Sequence, residues 1–278
     1  MISTFRILWR RRPLIRALTV SNLRTVHRNT FLGYLWWLID PIMMTAVYAV
    51  VVGFIFKRGG FHKPYPAFIM CGVVFWKSFS STVTQAVNSI SRNEGLVKSY
   101  SFPKAALPVS LVLSGSITFV FALVPVLLLV LFYQFVMGVS TVNVSWTLVY
   151  LPLLLAVQFT ITLGAALMFS CFGVFFKDLG NIMTHVLRVV WYLSAGLYAI
   201  SDIVKGYDGL LGTDWSRIRS YYLLNPFAHI MEGYRSAILY GRTPDLAGLA
   251  LAFCIGALWV FVGLRIFQSK ERKFTKFI

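Results

Sequence analysis

Long apolar stretches alternate with short, mostly basic connectors along almost the whole chain. The clearest stretch covers residues 35–56. As a helix it would reach about 33 Å, enough to cross a hydrocarbon core of about 30 Å. Because the apolar residues run continuously, without alternating with polar ones, the pattern predicts helices and excludes a membrane barrel. The stretches of membrane length are residues 35–56, 65–88, 105–132, 148–176, 182–199 and 246–267. The sequence therefore predicts an all-α polytopic membrane protein, with six transmembrane helices in a single domain that covers residues 1–278.

The segment before the first span, residues 1–30, is basic and moderately amphipathic. On a helical projection Ile15 belongs to an apolar side, whereas Arg16, Arg24 and Arg28 share the opposite side. A helix of this kind lies flat in the headgroup layer of a bilayer. We therefore predict an N-terminal amphipathic interface helix, with a flexible basic tail as the alternative.

The composition supports a membrane protein and explains the charge. Hydrophobic residues make up 58% of the chain and charged residues only 13%, whereas soluble domains carry about 25% charged residues. The net charge of +17 could indicate nucleic acid, but the basic residues concentrate beside the predicted spans. Anionic lipid headgroups explain that distribution, so we predict a membrane partner and no nucleic acid. The lysine and arginine asymmetry predicts both termini on the inner side, although Lys57, Arg58 and Lys63 count against it.

The segment between the fifth and sixth spans, residues 200–245, is too long for a turn and too apolar for a water-exposed loop. It is interrupted by Asn225 and Pro226, a dipeptide that breaks helices. Two short re-entrant helices before the last span fit this pattern. Such backbone is tolerated in a membrane only where protein or a water-filled path covers it. An ordinary amphipathic surface helix is the alternative.

Two basic residues interrupt the apolar spans. Lys77 lies near the middle of the second span and Arg188 lies inside the fifth, whereas Asp40 is the one acid within a span. A charge at such a depth is costly, so it usually faces a cavity or a partner. Lys77 therefore either contacts an anion on a transport path or extends its side chain to the interface. For Arg188, extension to the interface is favoured.

The chain lacks the common signatures of catalysis. It has no phosphate-binding loop of the form G-x-x-x-x-G-K-[ST], and it has no H-E-x-x-H, C-x-x-C or G-x-S-x-G motif. We therefore predict no catalytic residues, no metal site and no ATP hydrolysis by this chain alone. Any transport would draw its energy from a partner. A membrane-embedded enzyme, the rival class, would need acids or histidines clustered at one interface.

Three groups of residues resemble a known family. Leu32-Gly33-Tyr34 through Trp37, with Asp40-Pro41, begins the first span. Residues 95–103 lie between the second and third spans, and Leu224-Asn225-Pro226 with residues 232–235 and 239–241 precedes the last span. In this order the chain resembles the membrane subunits of ABC-2 type polysaccharide exporters, which export O-antigen, capsule or teichoic-acid chains.

The resemblance implies partners and a location. Such permeases form homodimers, bind two copies of a separate ABC ATPase subunit and reside in the bacterial cytoplasmic (inner) membrane. The resemblance implies no cofactor in this chain, because ATP and Mg are bound by the ATPase. The implied substrate is a polysaccharide linked to a polyprenyl pyrophosphate. Alternatives are an ABC-2 permease for another substrate, such as a drug or lipid, and, less favoured, a non-transport membrane enzyme or a scaffold.

The resemblance also implies roles for particular residues. Residues 91–103 would form a coupling helix that docks into the ATPase, with a plain basic loop as the alternative. Residues 200–245 would form an outer gate. The implied coupling residues are Glu94, Gly95, Leu96, Val97, Lys98, Tyr100 and Phe102. The implied gate residues are Asn225, Pro226, Glu232 and Arg235. A basic inner interface and an aromatic path suit an anionic headgroup followed by sugars. The candidate path residues are Arg24, Arg28, Phe31, Tyr34, Trp36, Phe75, Trp76 and Lys77.

Overall fold

The structure is a computed structural model. It describes residues 2–26, 31–51, 64–100, 102–194, 196–197, 222, 224–271 and 274. Regular structure within these residues is helical, and they contain no strand. The predicted all-α class is therefore confirmed.

The long and short helices follow one another with brief connections. They are α1 (Ile2–Arg10), α2 (Arg12–Val26), α3 (Trp36–Tyr48), α4 (Tyr65–Val87), α5 (Ser89–Arg92), α6 (Glu94–Ser99), α7 (Ala106–Leu131), α8 (Leu151–Phe175), α9 (Leu179–Leu193), α10 (Pro226–Tyr234) and α11 (Leu246–Lys270). Short 3₁₀-helical segments lie at Gly33–Leu35 and Trp146–Tyr150. Short π-helical segments lie at Phe132–Val136 and Arg235–Leu239.

Five helical segments are long and apolar enough to cross a membrane: Gly33–Val51, Tyr65–Val87, Ala106–Val136, Trp146–Phe175 and Leu246–Lys270. They match the first four predicted spans and the sixth. The fifth prediction, residues 182–199, corresponds to α9, which has 15 residues. A helix of that length reaches about 22 Å, short of a hydrocarbon core. Residues 195, 198 and 199 lie outside the described chain, so a sixth span stays a prediction.

The N-terminal segment forms two helices, α1 and α2, rather than the single helix predicted over residues 1–30. Ile15 and Thr19 of α2 are buried against α7. The Thr19 hydroxyl donates to the Ile15 carbonyl at 2.8 Å, and the Asn22 side-chain amide donates to the Ser110 hydroxyl of α7 at 3.2 Å. These contacts fix α2 along the body of the protein.

Helices α8 and α11 share the most extensive helix–helix contact among the described elements. Glycines make this approach possible because a side chain would collide with the facing helix. A Cβ at Gly164 would lie 2.5 Å from the Cβ of Trp259, and a Cβ at Gly256 would lie 2.9 Å from the backbone nitrogen of Ile161. Small residues at a helix contact allow tight packing in a membrane, where lipid supplies no hydrophobic drive.

Helix α4 is the central element of the bundle. Residues 67–76 of α4 are all buried, and α4 contacts α3, α7, α8 and α9. It also contacts α10, the described helix of the predicted gate segment. Helix α4 therefore lies against both the first span and the described helix of the predicted gate segment.

Helix α10 lies inside the bundle rather than on its surface. Its first turn places Phe227 with its ring centroid 4.7 Å from that of Phe79, about midway along α4. The residue that follows α10, Arg235, reaches Phe68 near the start of α4. The segment therefore traverses about 16 Å of the depth of α4. This burial does not fit the alternative of an amphipathic surface helix. The other predicted re-entrant helix falls on residues 200–221 and 223, outside the described chain, so the pair stays a prediction.

The α8–α11 contact gives a stability test. Replacing Gly256 by valine places three carbons against the backbone of Ile161, which cannot move aside. We expect a loss of about 1–3 kcal/mol, the usual cost of overpacking a tight contact. The measurement is the melting temperature of the purified protein in detergent.

The matched control is Gly95→Ala in α6, where an added Cβ meets nothing within 4 Å. Its melting temperature should stay at or slightly above that of the wild type, because alanine favours helix over glycine. Equal melting temperatures for Gly256→Val and the wild type would contradict the described contact.

Candidate functional site

A basic groove with a volume of about 1470 Å³ opens between α2 and the start of α3. Arg12, Arg16 and Arg24 of α2 line it together with Tyr34. Arg16 and Arg24 lie on the side of α2 away from the buried Ile15, Arg12 lies between the two sides, and all three are exposed. No acid lines this groove, so its surface is strongly positive among the residues that the structure describes.

An apolar groove of about 720 Å³ adjoins the basic one, between α2, α3 and α7. Its walls include Leu23, Leu35 and Phe121. Arg24 and Tyr34 line both grooves and mark the boundary between them. A positive surface that passes directly into an apolar one suits a ligand with an anionic group and a hydrocarbon tail.

The turn before α3 shapes both grooves. Gly33 adopts a φ of +47°, and no atom lies within 4 Å of the place where a Cβ would be. Its backbone conformation, rather than crowding, therefore requires glycine. The turn sets the Tyr34 ring 4.9 Å from that of Trp37, which lies 5.6 Å from Phe121 of α7. This aromatic row fixes the start of α3 against α7.

The structure brings only some of the predicted path residues to the grooves. Arg24 and Tyr34 line them, and Phe31 and Trp36 are exposed nearby in sequence. Arg28 lies outside the described residues. Phe75 and Trp76 are in the core.

The two core aromatics belong to a packed cluster. The Phe75 ring lies 6.0 Å from Tyr234, and the Trp76 ring lies 5.5 Å from Phe227. Their contacts are with the gate segment and with Trp191 of α9, and neither reaches the grooves. Their sequence position beside Lys77 does not reveal this, because consecutive helical residues point in different directions.

Lys77 forms an ion pair with Asp40, which links α4 to α3. The two side chains are 40% and 42% exposed. The charge at mid-span therefore has a partner within the chain, and the pair carries no net charge. Sequence reasoning noted each residue without joining them. The pairing could have been inferred from the sequence, because one acid and one lysine lie in neighbouring apolar spans.

The predicted coupling segment, residues 91–103, is not one helix. It consists of α5 and α6, with a break at Asn93, whose side-chain amide donates to the Ser89 carbonyl at 2.8 Å. Val97 is buried at 3% exposure, and Phe102 packs against the same cluster. These two residues anchor the segment to the body of the protein.

The remaining candidate coupling residues form an exposed surface. Leu96 and Tyr100 are 38% and 66% exposed and lie beside charged groups. Glu94 and Lys98 form an ion pair at 2.5 Å across one helical turn, and Gly95 is exposed between them in sequence. Protein interfaces combine apolar and aromatic groups at the centre with polar groups at the rim, and this surface offers both kinds.

Arg235 is the centre of the predicted gate segment. It is 1% exposed, and it is the one charged residue among the buried side chains that the structure describes. Its Nη2 donates to the Gly196 carbonyl at 2.8 Å and its Nε donates to the Phe68 carbonyl at 3.4 Å. The guanidinium carbon lies 3.6 Å from the centroid of the Phe68 ring, a cation–π contact. Its Nη1 lies 3.6 Å from a carboxylate oxygen of Glu232, whose side chain is 47% exposed.

Further hydrogen bonds hold the segment at both ends. Asn225 caps α10 by accepting from the Phe227 backbone at 3.0 Å, with Pro226 at the first helical position. The Asn225 side-chain amide donates to the Ser194 hydroxyl at 3.1 Å. The Tyr234 hydroxyl donates to Gln158 of α8 at 2.7 Å, and both residues are buried. Sequence reasoning did not find these partners, since they come from distant elements.

The described residues contain no group of three or more histidine, cysteine, aspartate or glutamate side chains that could hold a metal ion. The fold and these sites define a polytopic helical membrane protein with a basic-to-apolar groove, a short exposed segment at α6 and a buried helix, α10, before the last span.

Comparison with known proteins identifies the family. Residues 13–239 match the ABC-2 type transporter family, so the chain belongs to it. Similar proteins include the O-antigen export system permease protein RfbA of Myxococcus xanthus, 26% identical over the full length of both chains. RfbA of Klebsiella pneumoniae is 26% identical over 95% of both chains. The polysialic acid transport protein KpsM of Escherichia coli is 23% identical over 92% of this chain and 93% of its own.

The Arg235 contacts predict a large effect of one substitution. Arg235→Met keeps much of the apolar volume but removes the donors to Gly196 and Phe68. Because buried groups that lose their hydrogen-bond partners destabilise a protein, we expect a loss of about 2–4 kcal/mol. The measurement is the melting temperature in detergent.

Arg242→Met is the control, since Arg242 is exposed and lies 6.0 Å from the Tyr240 ring. This change should alter stability by less than about 0.5 kcal/mol, as is usual for surface positions. A similar fall in melting temperature for the two variants would show that the buried contacts of Arg235 do not stabilise the protein.

Proposed function

We propose that this chain is the channel-forming permease subunit of an ATP-driven exporter of polyprenyl-pyrophosphate-linked polysaccharide across the bacterial cytoplasmic membrane. Family membership supplies the transporter class. The full-length similarity to permeases named for O-antigen export and to a protein named for polysialic acid transport favours a polysaccharide.

The observation that carries the substrate is the basic groove beside the apolar groove. Arg12, Arg16 and Arg24 offer guanidinium groups, which suit the oxygens of a pyrophosphate. The neighbouring apolar walls suit the first isoprene units of the carrier. Tyr34, at the boundary, offers a ring face on which a sugar can stack. The order of groups in a lipid-linked glycan therefore matches the order of surfaces along the groove.

The proposal includes an assembly. Two copies of the chain would form the channel, and each would bind one ABC ATPase subunit that holds ATP and Mg. The exposed surface of α6, with Leu96, Tyr100 and the Glu94–Lys98 pair, would be the docking site. Both termini would then lie in the cytoplasm, together with the basic face of α2.

The gate segment would close the far end of the path. Helix α10 is deeply buried, and the Glu232–Arg235 contact leaves the Glu232 carboxylate half exposed. A closed mouth in the resting state fits this arrangement. The gate would open when ATP binding on the opposite side of the membrane rearranges the two copies.

An ABC-2 permease for a drug or another lipid is the second candidate, because the paired grooves would also fit a different anionic amphiphile. The two candidates differ in what reaches the cell surface. A polysaccharide permease with its ATPase restores surface polymer in a bacterium that lacks its own exporter, whereas a drug permease does not.

The groove arginines provide the test of substrate binding. Arg16→Gln with Arg24→Gln removes two cations while keeping polar side chains of similar length. Because each charged hydrogen bond contributes about 1.5–3 kcal/mol, we expect surface polymer to fall about tenfold or more. Quantitative antibody or lectin staining of whole cells measures it.

Arg10→Gln is the control, since Arg10 is exposed on α1 and does not line the groove. It should leave surface polymer unchanged. Full export by the double variant would show that the groove does not bind the substrate. Failure of the wild-type chain with its ATPase to restore any polymer would show that the substrate is not a polysaccharide.

The docking surface provides a separate test. Leu96→Asp with Tyr100→Asp places two charges where an apolar contact is proposed. Desolvating an unpaired charge at an interface typically costs about 2–5 kcal/mol, so the ATPase should no longer co-purify. Purified permease alone should show no ATP hydrolysis above background, with or without the substitutions.

Ser269→Asp, at an exposed position near the end of α11, is the matched control and should retain the ATPase. Undiminished co-purification of the double variant would place the coupling surface elsewhere. ATP hydrolysis by the lone chain would refute its role as a separate transport subunit.

A further inference from the structure

The second half of α4 has an unusual distribution of side chains. Between residues 77 and 85, every position that is not buried is polar, and the buried positions are mostly apolar. The polar positions are Lys77, Ser78, Ser80, Ser81, Thr84 and Gln85. We refer to them as the polar face of α4. A lipid-facing helix shows the opposite arrangement, so this face contacts water or a polar ligand.

The exposed face of α7 shows the contrast. Val124 and Leu128 are 43% and 62% exposed, and both are apolar, as expected for contact with lipid. The exposed parts of α4 and α7 therefore face different surroundings. Of the two, only α4 carries a continuous set of hydrogen-bonding groups along its exposed part.

The Asp40–Lys77 ion pair stands at one end of this face. Because its two charges cancel, the polar face as a whole has no net charge. Each partner remains about two-fifths exposed, so the carboxylate keeps acceptor oxygens and the ammonium keeps donors for a ligand. The basic groove is different, since its arginines have no acid among their lining neighbours.

The hydroxyl groups on the face are weakly engaged. The Ser80 and Ser81 hydroxyls donate to backbone carbonyls of Lys77 and Ser78 at 3.4 Å, which is long for hydroxyl donors. Such bonds are readily exchanged for others. On α3, Trp36 lies one turn before Asp40 on the same side of the helix and is 39% exposed. An aromatic ring thus accompanies the polar groups.

We propose that the polar face of α4, with the Asp40–Lys77 pair and Trp36, is a contact track for uncharged, hydroxyl-rich sugar units of the exported chain. The proposal rests on the proposed function and assigns the sugar portion of the substrate to a site separate from the arginine groove. Asp40 accepts sugar hydroxyls, Lys77 donates to sugar oxygens, and Trp36 stacks on a ring face.

The neutrality of the track determines its occupant. An anionic headgroup gains from a fixed positive charge, which Asp40 cancels here. A sugar unit instead presents donors and acceptors together, and the track offers both. Weak, exchangeable bonds with no net charge let a chain slide, whereas an uncompensated lysine would retain the pyrophosphate.

The first experiment measures whether water reaches the polar face of α4. Ser81→Cys and Thr84→Cys are introduced separately into a Cys254→Ser background, since Cys254 is the exposed native cysteine among the described residues. The permease–ATPase complex in lipid nanodiscs is treated with a sulfonated maleimide. Because a thiol in apolar surroundings stays protonated and unreactive, we expect both to react at least about tenfold faster than Leu128→Cys. Equal, slow rates would overturn the proposal.

The second experiment identifies the occupant. A neutral maltodextrin, added at millimolar concentration, should slow the labelling of Ser81→Cys about threefold, as partial occupancy of a weak site requires. An α2,8-linked sialic acid oligomer of equal length should not. Protection by the anionic chain alone, equal protection by both chains, or protection by neither would overturn the assignment of a neutral sugar track.

The third experiment tests the pair. Exchanging the two charges, Asp40→Lys with Lys77→Asp, preserves neutrality and should keep surface polymer within about threefold of the wild type, whereas Asp40→Asn or Lys77→Met alone should lower it about tenfold. Membrane yields of all variants are measured in parallel, and polymer is expressed per permease. Loss of export by the exchanged pair at normal yield would contradict the proposal. Surface polymer made by the wild type in this third experiment reports separately on polysaccharide export, so failure of the track leaves the proposed function standing.

Discussion

A charge that enters a bilayer must be neutralised by the protein itself, because lipid offers no ions and no hydrogen bonds. This constraint organises the chain around α4. Near the start of α4, the buried Arg235 guanidinium is held by two backbone carbonyls and a phenyl ring. At its middle, Lys77 is paired with Asp40. Each solution ties α4 to another element, Arg235 to α10 and Lys77 to α3. Because each charge needs partners inside the protein, burying it also fixes a contact between two helices.

The α8–α11 pair is held together by close packing, in contrast to these polar contacts of α4. Its glycine-mediated contact uses no polar group and leaves no space for adjustment. By contrast, α3 buries only Pro41 and Thr45 along its described length. A bundle with one tightly packed side and one thinly covered side suits a protein whose thinly covered side meets a second copy or a passing chain. In the proposed transporter, the grooves, the ion pair and the polar face all lie on or beside α3.

Hydropathy was sufficient to predict the five helical segments of membrane length that the structure describes, because a water-soluble fold rarely contains a continuous apolar run of that length. It could not separate the roles of consecutive residues. Phe75, Trp76 and Lys77 are adjacent in sequence, yet two are core residues and the third is half exposed. The spacing of Glu232 and Arg235, three residues apart, places them on one helical face, and their side chains lie 3.6 Å apart. It did not reveal that Arg235 is buried against Phe68 and Gly196, because those partners come from elsewhere in the chain.

The two cationic sites differ in one respect that hydropathy cannot show, namely whether an acid accompanies them. The arginines of α2 have none among the lining residues of their groove, so they present an unneutralised charge to a ligand. Lys77 has Asp40 and presents none. In an exporter that must capture an anionic carrier yet release a long chain, these arrangements serve opposite needs. Strong, localised attraction favours capture, and a neutral surface with exchangeable hydrogen bonds favours movement. In the proposed exporter, the position of a single carboxylate on α3 would therefore decide whether the basic residue beside it holds the substrate or lets it pass.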